Sequence, residues 1–225
     1  MTTGLAAKPT VNQPTVRQEI ERVEPGLVVR ASRLPSATLH EAYGRGGALP
    51  HVIKPVHPSM KVCGPAVTVH SPGGDNLWIH RALYVAKPGD VLVVHVSDAP
   101  DFGYWGEIMS TAAKTCRLGG LVIAGCVRDI DLLEQIGFPV FATGLCIRGT
   151  GKDPIARGWV NHPVRFGDVT VAEGDLIVGD RDGVVAIERR RASQVVSAAE
   201  LREAKEADVL RRIAAGERTL EVYNF

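Results

Sequence analysis

Arg128 and Asp129 set a fixed cation beside an anion, a few residues past a short apolar run, Leu121-Val122-Ile123-Ala124, that Gly125 ends. A run of that length bounded by glycines reads as a buried strand. Charges at the mouth of such a strand meet a ligand, a metal or each other. An arginine forks onto a carboxylate, and an adjacent aspartate holds a hard cation. The chemistry this pair suggests is a metal-assisted reaction on a small anionic substrate. A local ion pair capping the next helix explains the two residues equally well when they are taken alone.

Two further constellations change that balance. Gly103-Tyr104-Trp105-Gly106-Glu107 joins a polar loop to a helix start, where free N–H groups and glycines admit a carboxylate. Gly73-Gly74-Asp75-Asn76 also lies at a loop-to-helix junction. Each has an ordinary reading as a capped helix start. All three follow expected strands at the end where an α/β site opens. Together they offer backbone donors, an arginine fork and two carboxylates for a hydrated metal.

Competing motifs fail. Gly149-Thr150-Gly151-Lys152 lacks the first glycine and the Ser/Thr of a phosphate loop, and neither GxSxG nor HExxH occurs. The histidines show no metal-ligand spacing. Cys63, Cys116, Cys126 and Cys146 form no CxxC pair, and free thiols in a reducing cytoplasm are expected.

The elements that must position these residues alternate. Ser36 is expected to cap a helix through Ala42, after one or two helical turns over Val16 to Val23. Ala66 to Val69 and Val91 to Val96 read as strands. Helices are expected from Asp75 or Asn76 to Val85, from about Trp105 to Arg117, and near Asp131 to Gln135, with a strand at Pro139 to Ala142. Such alternation favours a partly parallel α/β sheet. From Val164 to Ile187, Gly-Asp and Asp-Gly pairs punctuate short strands, as in an antiparallel meander. A charged helix from about Arg191 to Ala215 follows. Residues 1–15 read as a flexible arm, and 16–225 as one domain.

A net charge of +1 and 5% aromatic residues argue against nucleic acid as a partner, and no apolar stretch suits a membrane span.

From about Pro25 to Phe225 the chain resembles the RraA-like family. The likeness is carried by Glu41-Ala42-Tyr43-Gly44-Arg45, Asp75-Asn76-Leu77, Trp105-Gly106-Glu107, Gly125-Cys126-Val127-Arg128-Asp129, Gly137-Phe138-Pro139-Val140-Phe141, Asn161-His162-Pro163, Gly179-Asp180-Arg181-Asp182-Gly183-Val184 and Arg202-Glu203-Ala204-Lys205-Glu206. More narrowly it resembles the catalytic branch, the class II 4-hydroxy-4-methyl-2-oxoglutarate / 4-carboxy-4-hydroxy-2-oxoadipate aldolases of aromatic-compound breakdown. The resemblance implies a single-domain α-β-β-α sandwich of the swivelling β/β/α type with a C-terminal helix. It implies a homotrimer or homohexamer with active sites between subunits, and Mg²⁺, replaceable by Mn²⁺ or another divalent ion. The implied reaction releases pyruvate from a branched 4-hydroxy-2-oxo acid, with oxaloacetate decarboxylation as a side activity. By position, Asp129 would ligate the metal and Arg128 would bind the substrate. Gly106, Glu107, Ile108 and Met109 would present backbone N–H groups to the pyruvyl carboxylate. Many relatives carry Asp where this chain has Glu107, whose extra methylene still allows it to reach a metal-bound water. Glu203 of a neighbouring subunit would complete the hydrated shell, and Asn76 and Glu41 would line the pocket. Arg30, Arg33, Arg45 and Lys152 are candidates for a distal carboxylate. The family's other branch, a protein-binding regulator of ribonuclease activity, generally lacks the Arg-Asp pair together with the C-terminal glutamates.

Overall fold

The computed structural model describes residues 16–225; the expected arm, residues 1–15, lies outside the described residues. Two short helices come first, α1 (Pro25–Ala31) and α2 (Ser36–Ala42), then a two-residue strand β1 (Lys54–Pro55). The centre alternates: β2 (Val62–Ser71), α3 (Leu77–Leu83), β3 (Val91–Val96), α4 (Glu107–Thr115), β4 (Gly120–Ala124), β5 (Cys126–Val127), α5 (Ile130–Ile136) and β6 (Val140–Ala142). Then come β7 (Gly144–Leu145), β8 (Trp159–Val160), β9 (Val164–Phe166), β10 (Val169–Val171), β11 (Leu176–Gly179) and β12 (Val184–Ile187). The 23-residue helix α6 (Ala192–Ala214) and a last turn, α7 (Thr219–Val222), close the chain.

The main sheet runs β1-β6-β4-β3-β2-β11-β12, with β8 against the end of β2. Its core, β2, β3, β4 and β6, is parallel, with Thr68 opposite Val93 and Val93 opposite Val122. These strands are apolar almost throughout because helices or loops cover both faces. Residues of α3, α4 and α5 (Ile79, Leu83, Met109, Ala113, Leu133) share one core with the parallel strands. A second core joins α1, α2 and α6 to β11 and β12 through Ala31, Leu39, Val195, Val196, Leu176 and Val185. The result is a mixed α/β domain with helices on two sides of a curled sheet and a long C-terminal helix.

Several expectations are corrected. Val16 to Val23 is not helical: Val16 bridges Val160, and Arg22 clamps the buried Asp90 with Nε–Oδ1 and Nη2–Oδ2 both at 2.7 Å, which ties the segment to the body of the domain. The helix instead begins at Pro25, suited to a first helical position by its fixed φ and missing N–H. Ser36 is inside α2, not its cap; its N–H and hydroxyl both donate to Asp180. α4 starts two residues later than expected because the backbone of Tyr104 and Trp105 is bonded to residues 126 and 128. The meander splits into two hairpins, β9–β10 in a sheet of its own and β11–β12, whose first strand joins β2.

Candidate active site

Three loops leave the C-terminal ends of β2, β3 and β4 and are laced together. Tyr104 N–H donates to Cys126 C=O (3.0 Å), and Arg128 N–H to Trp105 C=O (2.9 Å). The Tyr104 hydroxyl donates to Ala99 C=O and accepts from Gly74 N–H. Asn76 Nδ2 donates to Tyr104 C=O at 3.0 Å. A fourth segment, 149–153, is tied in by Asp75, whose Oδ2 accepts from Asp153 N–H (2.5 Å), and by Gly151 N–H to Gly74 C=O (2.7 Å).

These loops enclose a cleft of about 430 Å³ lined by Asn76, His80, Gly106 to Met109, Arg128, Asp129 and Lys152, among others. That size suits a small-molecule site, roughly 300–1,000 Å³. Asp129 has a left-handed backbone, φ 62°, at the junction of β5 and α5, and its carboxylate does not cap its own helix. Non-glycine residues adopt this region rarely, and such positions gather at functional sites. The carboxylate turns toward α4, where Oδ2 accepts from Glu107 N–H at 3.1 Å. A Cβ on Gly106 would fall 2.3 Å from that oxygen, and one on Gly103 would meet the Arg128 stem at 3.0 Å. The two glycines therefore let the Arg128-Asp129 pair lie against the loop backbone.

The pair does not clasp itself shut. Arg128 Nε stands 3.7 Å from Asp129 Oδ2, with the side chains 45% and 36% exposed. The Arg128 Nη atoms and Asp129 Oδ1 have no hydrogen-bond partner among the described residues. Among the described residues Asn76 Oδ1 is a buried acceptor without a partner, and such orphans call for a ligand or water. The N–H groups of Ile108 and Met109 have no partner among the described residues at the start of α4, while that of Glu107 is taken by Asp129.

No three His, Cys, Asp or Glu side chains converge as a metal cage among the described residues. A single carboxylate with one free oxygen, a glutamate at the rim and a guanidinium alongside nevertheless fit one kind of ion. Mg²⁺ keeps most of its waters and is commonly held by one or two carboxylates plus substrate oxygens.

The structure thus brings together Asn76, Gly106, Glu107, Ile108, Met109, Arg128 and Asp129. It does not bring Glu41 and Glu203 into the cleft of the same chain. Those two occupy α2 and α6 on the other core: Glu203 accepts from the Thr38 hydroxyl (2.6 Å), and Glu41 faces Arg45 and, at 3.9 Å, Arg202. Of the basic candidates for a distal carboxylate, Lys152 lines the cleft, whereas Arg30 is engaged by Glu200 and Arg45 by Glu41. His80 was missed. It follows Asn76 by one helical turn, a spacing that places both on one face of α3, and this is the signal that identifies it.

A curled α/β sheet with an arginine-aspartate pair at its strand ends defines a class, and the comparisons name the family. The RraA-like family, described as Aldolase/RraA, matches residues 36–186, and the chain belongs to it. A relative from Halalkalibacterium halodurans, named "Putative 4-hydroxy-4-methyl-2-oxoglutarate aldolase", is 31% identical over 204 residues, covering 91% of this chain and 96% of its own. An uncharacterized protein from Pseudomonas syringae pv. tomato superposes with a TM-score of 0.80 at 26% identity, over 91% of this chain and 96% of that one. A Streptomyces coelicolor structure, titled an unusual member of the RNase ES inhibitor RraA protein family, gives a TM-score of 0.74 at 27% identity, over 85% and 98%. No helix among the described residues is long and apolar enough to cross a membrane.

Proposed function

We propose that this protein is a divalent-metal-dependent aldolase that splits a branched 4-hydroxy-2-oxo acid into pyruvate and a second oxo acid. Oxaloacetate decarboxylation at the same site belongs to the proposal. The observation that carries it is the Asp129 carboxylate, seated against Gly106 with one oxygen free, beside a guanidinium whose Nη groups are also free. The names of relatives support the aldolase reading at family level.

Asp129 is the proposed direct ligand for Mg²⁺ or Mn²⁺, with Glu107 and Glu203 of a neighbouring copy reaching it through water. Such an ion, when bound, supplies Lewis-acid stabilisation of charge developing on the 2-keto oxygen. Arg128, whose backbone N–H is held by Trp105 C=O, adds a positive charge beside that oxygen. The open N–H groups of Ile108 and Met109 and the Asn76 side chain orient the pyruvyl carboxylate. Lys114, bound to Ile136 C=O outside the cleft, and Lys152, in the cleft wall but without a recognisable activating setting, are not proposed as Schiff bases.

A homotrimer or homohexamer follows from the same reading. Ile108 and Ile147, 78% and 93% exposed, flank Arg128 and Asp129 with bare apolar surface that a second copy would cover. The rival reading, a regulator that binds a ribonuclease, draws on the Streptomyces neighbour's title. Release of pyruvate, followed by coupling to lactate dehydrogenase, separates the two. Turnover of 4-hydroxy-4-methyl-2-oxoglutarate or 4-carboxy-4-hydroxy-2-oxoadipate supports the aldolase. Inhibition of a ribonuclease with no turnover of either acid supports the regulator.

A further inference from the structure

The aldolase reading needs a group to take one proton: the hydroxyl hydrogen at C4, which must depart as the C3–C4 bond breaks. We propose that His80, the one imidazole in the cleft wall, takes this proton.

The other titratable groups of the cleft are unsuited or occupied. Asp129 and Glu107 are assigned to the ion and its waters. The Lys152 ammonium is a donor without a lone pair. The Tyr104 hydroxyl is spent between Ala99 C=O and Gly74 N–H, and burial raises its pKa further. His80, by contrast, makes no side-chain hydrogen bond among the described residues, so its ring nitrogens are open. Its position is fixed by α3: His80 N–H donates to Asn76 C=O at 3.1 Å, and the neighbouring Ile79 is fully buried. His80 therefore stands one helical turn, about 5.4 Å, from the Asn76 end of the cleft. His80 lines the same cleft as Asn76 and lies within electrostatic range of Lys152, the cleft's candidate for the distal carboxylate, so the proposal sets C4 between the Asn76 end and Lys152. Burial, and after it the Lys152 ammonium, lowers the His80 pKa, while Asp75 pulls the other way. The net effect favours the neutral ring that a base requires.

The step balances within the cleft. The hydroxyl proton passes to an imidazole nitrogen, and the O–H pair becomes the second bond of the C4 carbonyl. The C3–C4 pair moves to the pyruvyl fragment as its enolate. The imidazolium then returns its proton to solvent, and the enolate takes one at C3 from water.

This proposal rests on the aldolase reading but is separable from it, because oxaloacetate decarboxylation removes no hydroxyl proton. His80→Gln should lower kcat/KM for cleavage about 10²- to 10⁴-fold while leaving decarboxylation within about tenfold of wild type. In His80→Gly, added imidazole should restore cleavage in proportion to its concentration. Unchanged cleavage in His80→Gln overturns the role. So does equal loss of both reactions with no rescue by imidazole in the glycine variant, which marks a structural effect. A wild-type protein that releases no pyruvate from any of these acids removes the aldolase reading itself, and the role of His80 with it.

Discussion

At the scale of single residues, the site depends on what Gly106 lacks. The Asp129 carboxylate occupies space that any side chain at position 106 would fill, at 2.3 Å from Oδ2. Gly106 has an extended backbone, φ −165°, so alanine is excluded there by contact and not by conformation. Gly106→Ala should therefore fold but push the carboxylate off the start of α4. A shift of about 1 Å in a reacting group costs on the order of 10²-fold in rate. Steady-state kinetics on Gly106→Ala should show a fall of that order in kcat/KM, with far-ultraviolet circular dichroism unchanged. A variant with full activity would mean that Asp129 is not held where the reaction needs it.

At the scale of elements, the parallel strands were legible because they are buried on both faces and so read as continuous apolar runs. The turn before Arg128-Asp129 was legible for a different reason: the side chains of Tyr104 and Val96 pack onto Gly125 where a Cβ would sit, and that leaves a glycine signature. What the sequence did not disclose was set by distant partners. Val16 to Val23 has helical character, yet the Arg22–Asp90 clamp across 68 residues overrides it. His80 gains meaning only when Asn76 is placed in the cleft. The histidines of β2 and β3 are a similar case. Register sets His70 opposite His95, with Nδ1 atoms 3.4 Å apart and Trp159 stacked on His70 at 3.9 Å. Burial lowers the pKa of both rings; His95 lowers His70 further, and Asp98 opposes the shift at both. Folded values below the ordinary 6.5 mean that the unfolded chain binds more protons in the window just under that pH. Stability should then be lost as pH falls from about 6.5 toward the depressed folded values. Melting temperatures across that range should drop less steeply for the double variant His70→Gln, His95→Gln than for wild type. Parallel curves would show that the pair is not linked to folding.

At the scale of the whole molecule, the chain carries its proposed machinery in two places. Arg128 and Asp129 line the cleft, while Glu203 and Glu41 lie together on α6 and α2. One copy's α2–α6 surface meeting another's cleft would complete the proposed site. Under that account, Asp129→Ala and Glu203→Ala should each be nearly inactive alone. Mixed and allowed to exchange subunits, they should regain a fraction of wild-type turnover, since some interfaces then hold both intact residues. No recovery after demonstrated exchange would place Glu203 outside the site. The most direct measurement is a titration of metal-free protein with Mg²⁺, reading bound ion by calorimetry and pyruvate release in the same samples. Both should rise together in wild type, and neither should rise in Asp129→Ala. Pyruvate release that is independent of added Mg²⁺, or that persists in Asp129→Ala, would contradict it.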